Sequence, residues 1–300
     1  MNKQQKRMVV RQLLIPVLII VAALFYRPVK DFLDQGSALG TMSTDGSELV
    51  VSYIDVGQGD ATLVSKGDFH MLIDAGKNEK GEQVVQFLRD AGIQKLDVLV
   101  GTHPDSDHIG GLDNVIDEFQ VDTLYMPEAE KDTKTYREVT SSRKKKNLSA
   151  SMPEIGREDT FDGNVLVRFL SPVKNYSDAN ENSIVVQLAY GKNRFLFMGD
   201  AEEKAERDIL AAGYDLECDV LKLGHHGSYT ATSLDFLRRA DPVYGVISCG
   251  RDNSYGHPHA ETLAKLEDED VQVYRTDTMG TIRAVSDGKN VSLYTDQDSR

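Results

Sequence analysis

The chain has 300 residues, of which 40% are hydrophobic and 27% charged, with only 8 prolines, a composition that supports a packed core and excludes a disordered chain. Its net charge is −14, and six basic residues (Lys3, Lys6, Arg7, Arg11, Arg27, Lys30) precede the first acidic one, so the remainder reaches −20. A body that acidic repels duplex nucleic acid over long range and attracts divalent cations.

The first element is an uncharged apolar run, Leu13 to Tyr26 (LLIPVLIIVAALFY), behind the basic N-terminus. Fourteen residues is short for a full span, but Met8 to Val10 and Val29 lengthen it if Arg11 and Arg27 reach toward the headgroups. We read residues 1–30 as an uncleaved membrane anchor. A cleaved signal segment and a buried helix are the alternatives, since the nearest small-x-small pair, Ala38 and Gly40, lies well beyond the run. The leading positive charges place the body, residues 48–300, outside the cytoplasmic membrane, anchored there or else secreted. Residues 31–47, rich in Gly, Ser, Asp and Thr, read as a linker.

From Glu48 onward, thirteen β-rich runs alternate with helical stretches at 79–91, 110–118, 133–147, 202–212, 232–240 and 259–268. Hairpin signals stand at Gly191-Lys192-Asn193 and at Asp287 to Asn290. Thirteen strands exceed what one open sheet usually holds, so the pattern predicts an α/β sandwich of two face-to-face sheets with helices outside. Cys218 and Cys249 sit in apolar runs and read as separate buried thiols. The basic run Arg143 to Lys146 closes a helical stretch. It reads as a solvated helix end, with contact to a polyanion as the alternative.

Chemistry concentrates in LDVLVGTHPDSDHIGG. An apolar strand ends at Thr102, and a polar loop then delivers His103, Asp105, Asp107 and His108. In an extended loop alternate residues share a side, so His103, Asp105 and Asp107 are expected to face one pocket, with His108 turning to a second ion. Imidazole and carboxylate donors suit zinc, manganese or iron. Burying four such groups without a cation would be very costly.

This loop resembles the metal loop of the metallo-β-lactamase superfamily, His-x-His-x-Asp-His, with Asp105 in the second histidine's place. The order of YIDVGQGDATLV, HMLIDAG, THPDSDHIGG, NENSIVVQL, FLFMGDAE, DVLKLGHHGS and ISCGRDNSYGHPH is similar to the C-terminal hydrolase domain of the ComEC competence-protein family. That family's multi-helix channel part has no counterpart here, so the resemblance implies no DNA import by this chain alone. It implies an αββα sandwich binding two divalent ions, zinc or manganese. One ion is expected near His103, Asp105 and Asp200, the other near Asp107, His108, Asp200 and His226, with His225 as the alternative to His226. Asp200 would bridge them. Asn180, Asn182 and Ser183 occupy the place where many members of the superfamily have a third histidine for the first ion. Asp55, Asp60 and Asp74 fit roles orienting the ligand histidines. His257, in Gly-His-Pro, is expected to contact substrate or donate a proton, and Asp107 is expected to be the catalytic carboxylate.

The implied activity is hydrolysis of a phosphodiester, with single-stranded nucleic acid the substrate that the resemblance suggests. A small extracytoplasmic ester, such as a cell-wall phosphodiester or a lactone, is the enzymatic alternative. A non-catalytic module binding DNA or a protein is the alternative of another class. Nothing in the sequence demands an obligate protein partner.

Overall fold

The computed structural model describes residues 46–128 and 133–298. The expected anchor and almost all of the linker lie outside the described residues. Among those described, no helix is long and apolar enough to cross a membrane.

In chain order the strands are β1 (Leu49–Tyr53), β2 (Thr62–Lys66), β3 (Phe69–Ile73), β4 (Lys95–Val100), β5 (Gln120–Tyr125), β6 (Ala150–Ser151), β7 (Glu158–Phe161), β8 (Val165–Ser171), β9 (Val185–Tyr190), β10 (Asn193–Phe197), β11 (Val220–Lys222), β12 (Tyr244–Ile247), β13 (Gln272–Arg275), β14 (Ile282–Ser286) and β15 (Val291–Thr295). They build two mixed sheets, β15-β14-β1-β2-β3-β4-β5-β6 and β13-β12-β11-β10-β9-β8-β7. The hairpin at Gly191 pairs β9 with β10, and that at Asp287 to Asn290 pairs β14 with β15.

Period-two patterning explains the layering. Leu49, Val51 and Tyr53 of β1 meet Phe195 and Phe197 of β10 in a central core between the sheets. Alternate residues such as Leu72 and Leu99 point outward, under Val84, Val85 and Leu88 of the helix Gly81–Asp90 and Val115 of the helix Leu112–Glu118. On the other sheet Leu196 and Leu221 lie under Ile209, Phe236 and Leu266 of the helices Glu203–Ala212, Leu234–Ala240 and Ala260–Asp268. The result is the expected sandwich of two sheets with helices outside.

The basic run closes the helix Lys134–Lys145, where cations complement the carbonyl end. Lys145 pairs with Asp117, and Lys146 donates to the Asp117 carbonyl. Cys218 and Cys249 are buried and unbridged.

The strands β3, β4 and β5 run parallel, as do β10, β11, β12 and β13. Loops at the carboxyl ends of parallel strands gather at one edge, where α/β sheets commonly hold ligands.

Candidate metal centre

After β4, Gly101 and Thr102 carry the chain to His103. The loop does not stay extended as the alternation predicts. Asp105 starts a helical turn, Ser106–Ile109, and its carbonyl accepts from the N–H groups of His108 and Ile109. That turn swings Asp107 and His108 inward beside His103, while Asp105 remains at the mouth, its side chain 54% exposed. The turn rests on the Gly57-Gln58-Gly59 loop. Asp60 N donates to the Asp107 carbonyl, and a Cβ on Gly59, whose φ is +141°, would stand 2.3 Å from that oxygen. Only glycine fits there.

The second sheet supplies the rest. Asp200 follows β10, and its N–H donates to Ser183 Oγ at 3.1 Å. His225 and His226 follow β11 with consecutive left-handed backbones, φ 47° and 54°. Such conformations cost a non-glycine residue of order 1–3 kcal/mol each and concentrate at functional sites. They turn both rings toward Asp200, where neighbours on a strand would point apart.

Each imidazole is held from behind by its Nδ1. His108 Nδ1 lies 2.8 Å from Asp74 Oδ2, His225 Nδ1 2.8 Å from Glu202 Oε1, and His226 Nδ1 3.0 Å from the Ser248 carbonyl. A carboxylate or carbonyl only accepts, so in these three rings Nδ1 holds a proton and Nε2 is the atom left to bind a cation. His103 Nδ1 meets Thr102 Oγ1 at 3.1 Å and Ser183 Oγ at 3.4 Å. All four Nε2 atoms converge on the Asp200 carboxylate, at 3.2 Å for His108, 3.7 Å for His103 and His226, and 3.8 Å for His225.

The arrangement fits divalent ions. His108 Nε2 and His226 Nε2 face each other at 3.3 Å, too close for both to carry protons. With His226 Nε2–Asp107 Oδ2 at 3.5 Å and His108 Nε2–Asp200 Oδ1 at 3.2 Å, these donors span edges close to the ~3.3–3.4 Å expected around a tetrahedral zinc. His103 Nε2 and Asp200 Oδ1 are buried without a hydrogen-bond partner, a costly arrangement unless a cation satisfies them.

The electrostatics agree. Asp60, Asp74 and Asp200 are buried and Asp107 partly so, and buried Lys222 contacts Asp60 Oδ2 through its Nζ at 2.7 Å. Burial disfavours charge on His226, but Asp200, Asp107 and Asp60 outweigh it and push the imidazole up to about 10. Burial raises Asp107, yet His226 and His108 bring it down to about 2. His103, dominated by burial with His108 beside it, falls to about 3 and is neutral at pH 7.

The other expected residues divide. Asp74 clamps His108, and Asp60 Oδ1 lies 3.3 Å from His226 Nδ1. Ser183 touches His103. Asn180 begins the 3₁₀ turn Asn180–Asn182, its N–H on Asp178, while Asn182 donates its amide to the Tyr176 and Asp178 carbonyls. The Asp55 carboxylate closes a turn onto Gly57 N, away from the histidines, because a residue two ahead offered it a local donor. His257 is buried by its loop, its ring 5.3 Å from that of His225 and 6.0 Å from that of His226. Burial and the neighbouring histidines hold it down at about 4, and its Nδ1 has no hydrogen-bond partner. Sequence reading overlooked Lys222, Glu202 and Thr102, the last donating from N and Oγ1 to Asp74. A lysine ending an otherwise apolar strand was the readable sign of the first.

Residues 54–251 match the family model described as the metallo-beta-lactamase superfamily, whose members are usually metal-dependent hydrolases. The chain is 32% identical over 263 residues to ComE operon protein 3 of Bacillus subtilis, covering 79% of this chain and 33% of that protein. It is 31% identical over 242 residues to competence protein ComA of Neisseria gonorrhoeae, covering 79% and 32%. It thus spans about a third of the length of these curated relatives. Among solved structures it resembles the metallo-beta-lactamase fold protein YhfI of Bacillus subtilis, with a TM-score of 0.50 at 13% identity, covering 78% of this chain and 98% of that one. Matched span and fold agree, and the chain belongs to the metallo-β-lactamase superfamily.

Proposed function

We propose that the chain is a two-metal phosphodiesterase acting on nucleic acid outside the cytoplasmic membrane, held there by its apolar N-terminal segment. The observation that carries this reading is the convergence of four imidazole Nε2 atoms on the one Asp200 carboxylate, an arrangement in which two sets of donors would hold ions. Asp107, His108 and His226 form one set with Asp200, and His103 and Asp105 begin the other. When bound, zinc or manganese ions supply Lewis acidity that suits in-line displacement at phosphorus, where attacking and leaving oxygens both need charge withdrawn. The protein's own part is orientation and proton handling. Asp74, Glu202 and Ser248 fix the ring tautomers, and Asp107 stays ionised at neutral pH. His257, neutral at that pH, holds at Nδ1 the site for a proton passing to or from the leaving group. Nucleic acid as substrate is supported by the likeness to a competence protein, and export by the charge order of the first thirty residues.

The test gives the metal-loaded chain bis-p-nitrophenyl phosphate, end-labelled single-stranded DNA and nitrocefin. Cleavage of the first two, lost in Asp200→Ala, is expected. Cleavage of the dye without DNA would favour the small ester that the acidic body suggests, and binding of DNA without any cleavage would favour a non-catalytic module. Protease added to wall-stripped cells should digest the body if it faces outward.

A further inference from the structure

We infer that His225 is a ligand of the first ion, completing the set begun by His103, Asp105 and Asp200, and that Glu202 is its positioning residue. The inference rests on the two-ion reading and adds to it a donor and a support.

The second set needs no further donor. Asp107, His108, His226 and Asp200 already enclose a volume with edges of 3.2, 3.3, 3.5 and 3.7 Å. The first set is incomplete. His103 Nε2 is buried with no hydrogen-bond partner and stands 3.7 Å from Asp200 Oδ2 and 3.9 Å from Asp105 Oδ2. Ser183 Oγ lies against Nδ1, the other side of the ring, and the Asn182 amide is engaged with the Tyr176 and Asp178 carbonyls.

His225 is placed to fill the gap. Its Nε2 is 3.8 Å from Asp200 Oδ2, the same oxygen that His103 approaches. Two donors each 2.0–2.2 Å from one ion lie at most about 4.4 Å apart, so an ion beside Asp200 Oδ2 is within reach of both His103 and His225. These separations exceed the ~3.3–3.4 Å edge of a tetrahedron, which describes an open site that binds more weakly and leaves room for further oxygen ligands. Glu202 Oε1 accepts from His225 Nδ1 at 2.8 Å and from Thr230 Oγ1 at 2.6 Å, so the ring is held with Nε2 turned inward. The rival role for His225 is a cation, with Glu202 as counter-ion, that contacts the substrate directly.

Metal binding separates the two. The full chain, stripped with chelator, is titrated with manganese, bound metal is counted by elemental analysis, and the spin-coupled pair is followed by electron paramagnetic resonance. Wild type should bind two coupled ions of unequal affinity. His225→Ala should keep the tighter ion, lose the weaker and lose the coupled signal. Glu202→Gln should weaken only the weaker ion, by about 10–100-fold. If His225→Ala binds both ions with unchanged affinities, the inference is overturned and the substrate-contact role stands. Should that variant not fold, unchanged affinities in Glu202→Gln overturn it equally. Wild type saturating at one ion would instead defeat the two-ion reading itself, before any variant is compared.

Discussion

Asp74→Asn is the most informative single change, because it alters one proton's place and little else. Asp74 is fully buried and accepts three hydrogen bonds, from Thr102 N at 2.8 Å, Thr102 Oγ1 at 2.7 Å and His108 Nδ1 at 2.8 Å. Asparagine keeps the volume but replaces one acceptor oxygen with an NH₂ group. If its oxygen stays on the Thr102 N–H, which has no alternative, the NH₂ faces His108 Nδ1. A donor there forces the proton onto Nε2 and removes the lone pair aimed at Asp200. Changes to the partner behind a metal-binding histidine typically cost 10–100-fold in affinity, which is about 1.4–2.8 kcal/mol. We therefore expect metal affinity, measured by competition with a chromogenic chelator, to drop by that factor while the fold remains cooperative. Asp74→Ala should in addition strand the buried Thr102 N–H and His108 Nδ1 and lower stability by several kcal/mol, at about 1–3 kcal/mol each. Wild-type affinity in Asp74→Asn would refute the assignment of His108 as a ligand through Nε2.

Three further changes probe the support of the site. Lys222→Met leaves the buried Asp60 carboxylate unpaired and should cost about 3–5 kcal/mol in chemical denaturation, much of it recovered in the double variant with Asp60→Asn, whereas equal losses in both would show the pair is not coupled. Gly59→Ala would drive its Cβ into the Asp107 carbonyl and should reduce metal affinity more than it reduces melting temperature; an unchanged affinity would show that the loop yields. In the metal-free chain the carboxylates raise His226 from an unfolded value near 6.5 to about 10, so the stabilisation is complete below about pH 6.5 and is lost as pH rises through 10. The chelated chain should accordingly melt at lower temperature at pH 10 than at pH 7, and adding zinc at pH 7 should release protons in calorimetry across buffers of different ionisation enthalpy.

How much of this was readable differs by residue. His103, Asp107, His108 and Asp200 announce themselves because each lies in a short polar segment directly after an apolar strand, where no core role suits it. All thirteen β-rich runs contain a strand. The two strands that escaped notice, β6 and β7, are a two-residue edge and the polar EDTF, which carry little apolar alternation to detect. The loop after β4 departs from the extended shape that alternation assumes, since Asp105 starts a helical turn. The supporting partners were illegible for a different reason. Lys222 and Asp60 are 162 residues apart, and His226 meets Ser248 through a backbone carbonyl, which leaves no trace in residue type. Glu202 stands at the N-cap of the helix Glu203–Ala212, where an acidic residue already has a structural reason to be.

Asp200 and the paired histidines belong to one sheet, and His103, Asp107 and His108 to the other, so the centre straddles the seam of the sandwich. Whatever joins these groups also rivets the two halves of the protein together. Losing it would let the sheets part from that edge, as a book opens once its clasp is undone. Amide exchange should therefore quicken together in the Thr102–Gly111 and Gly224–Ser228 segments when metal is withdrawn, although more than a hundred residues separate them in the chain. A cell short of metal would then hold a chain that is both inactive and open to proteolysis, tying the protein's survival to the supply of its ion.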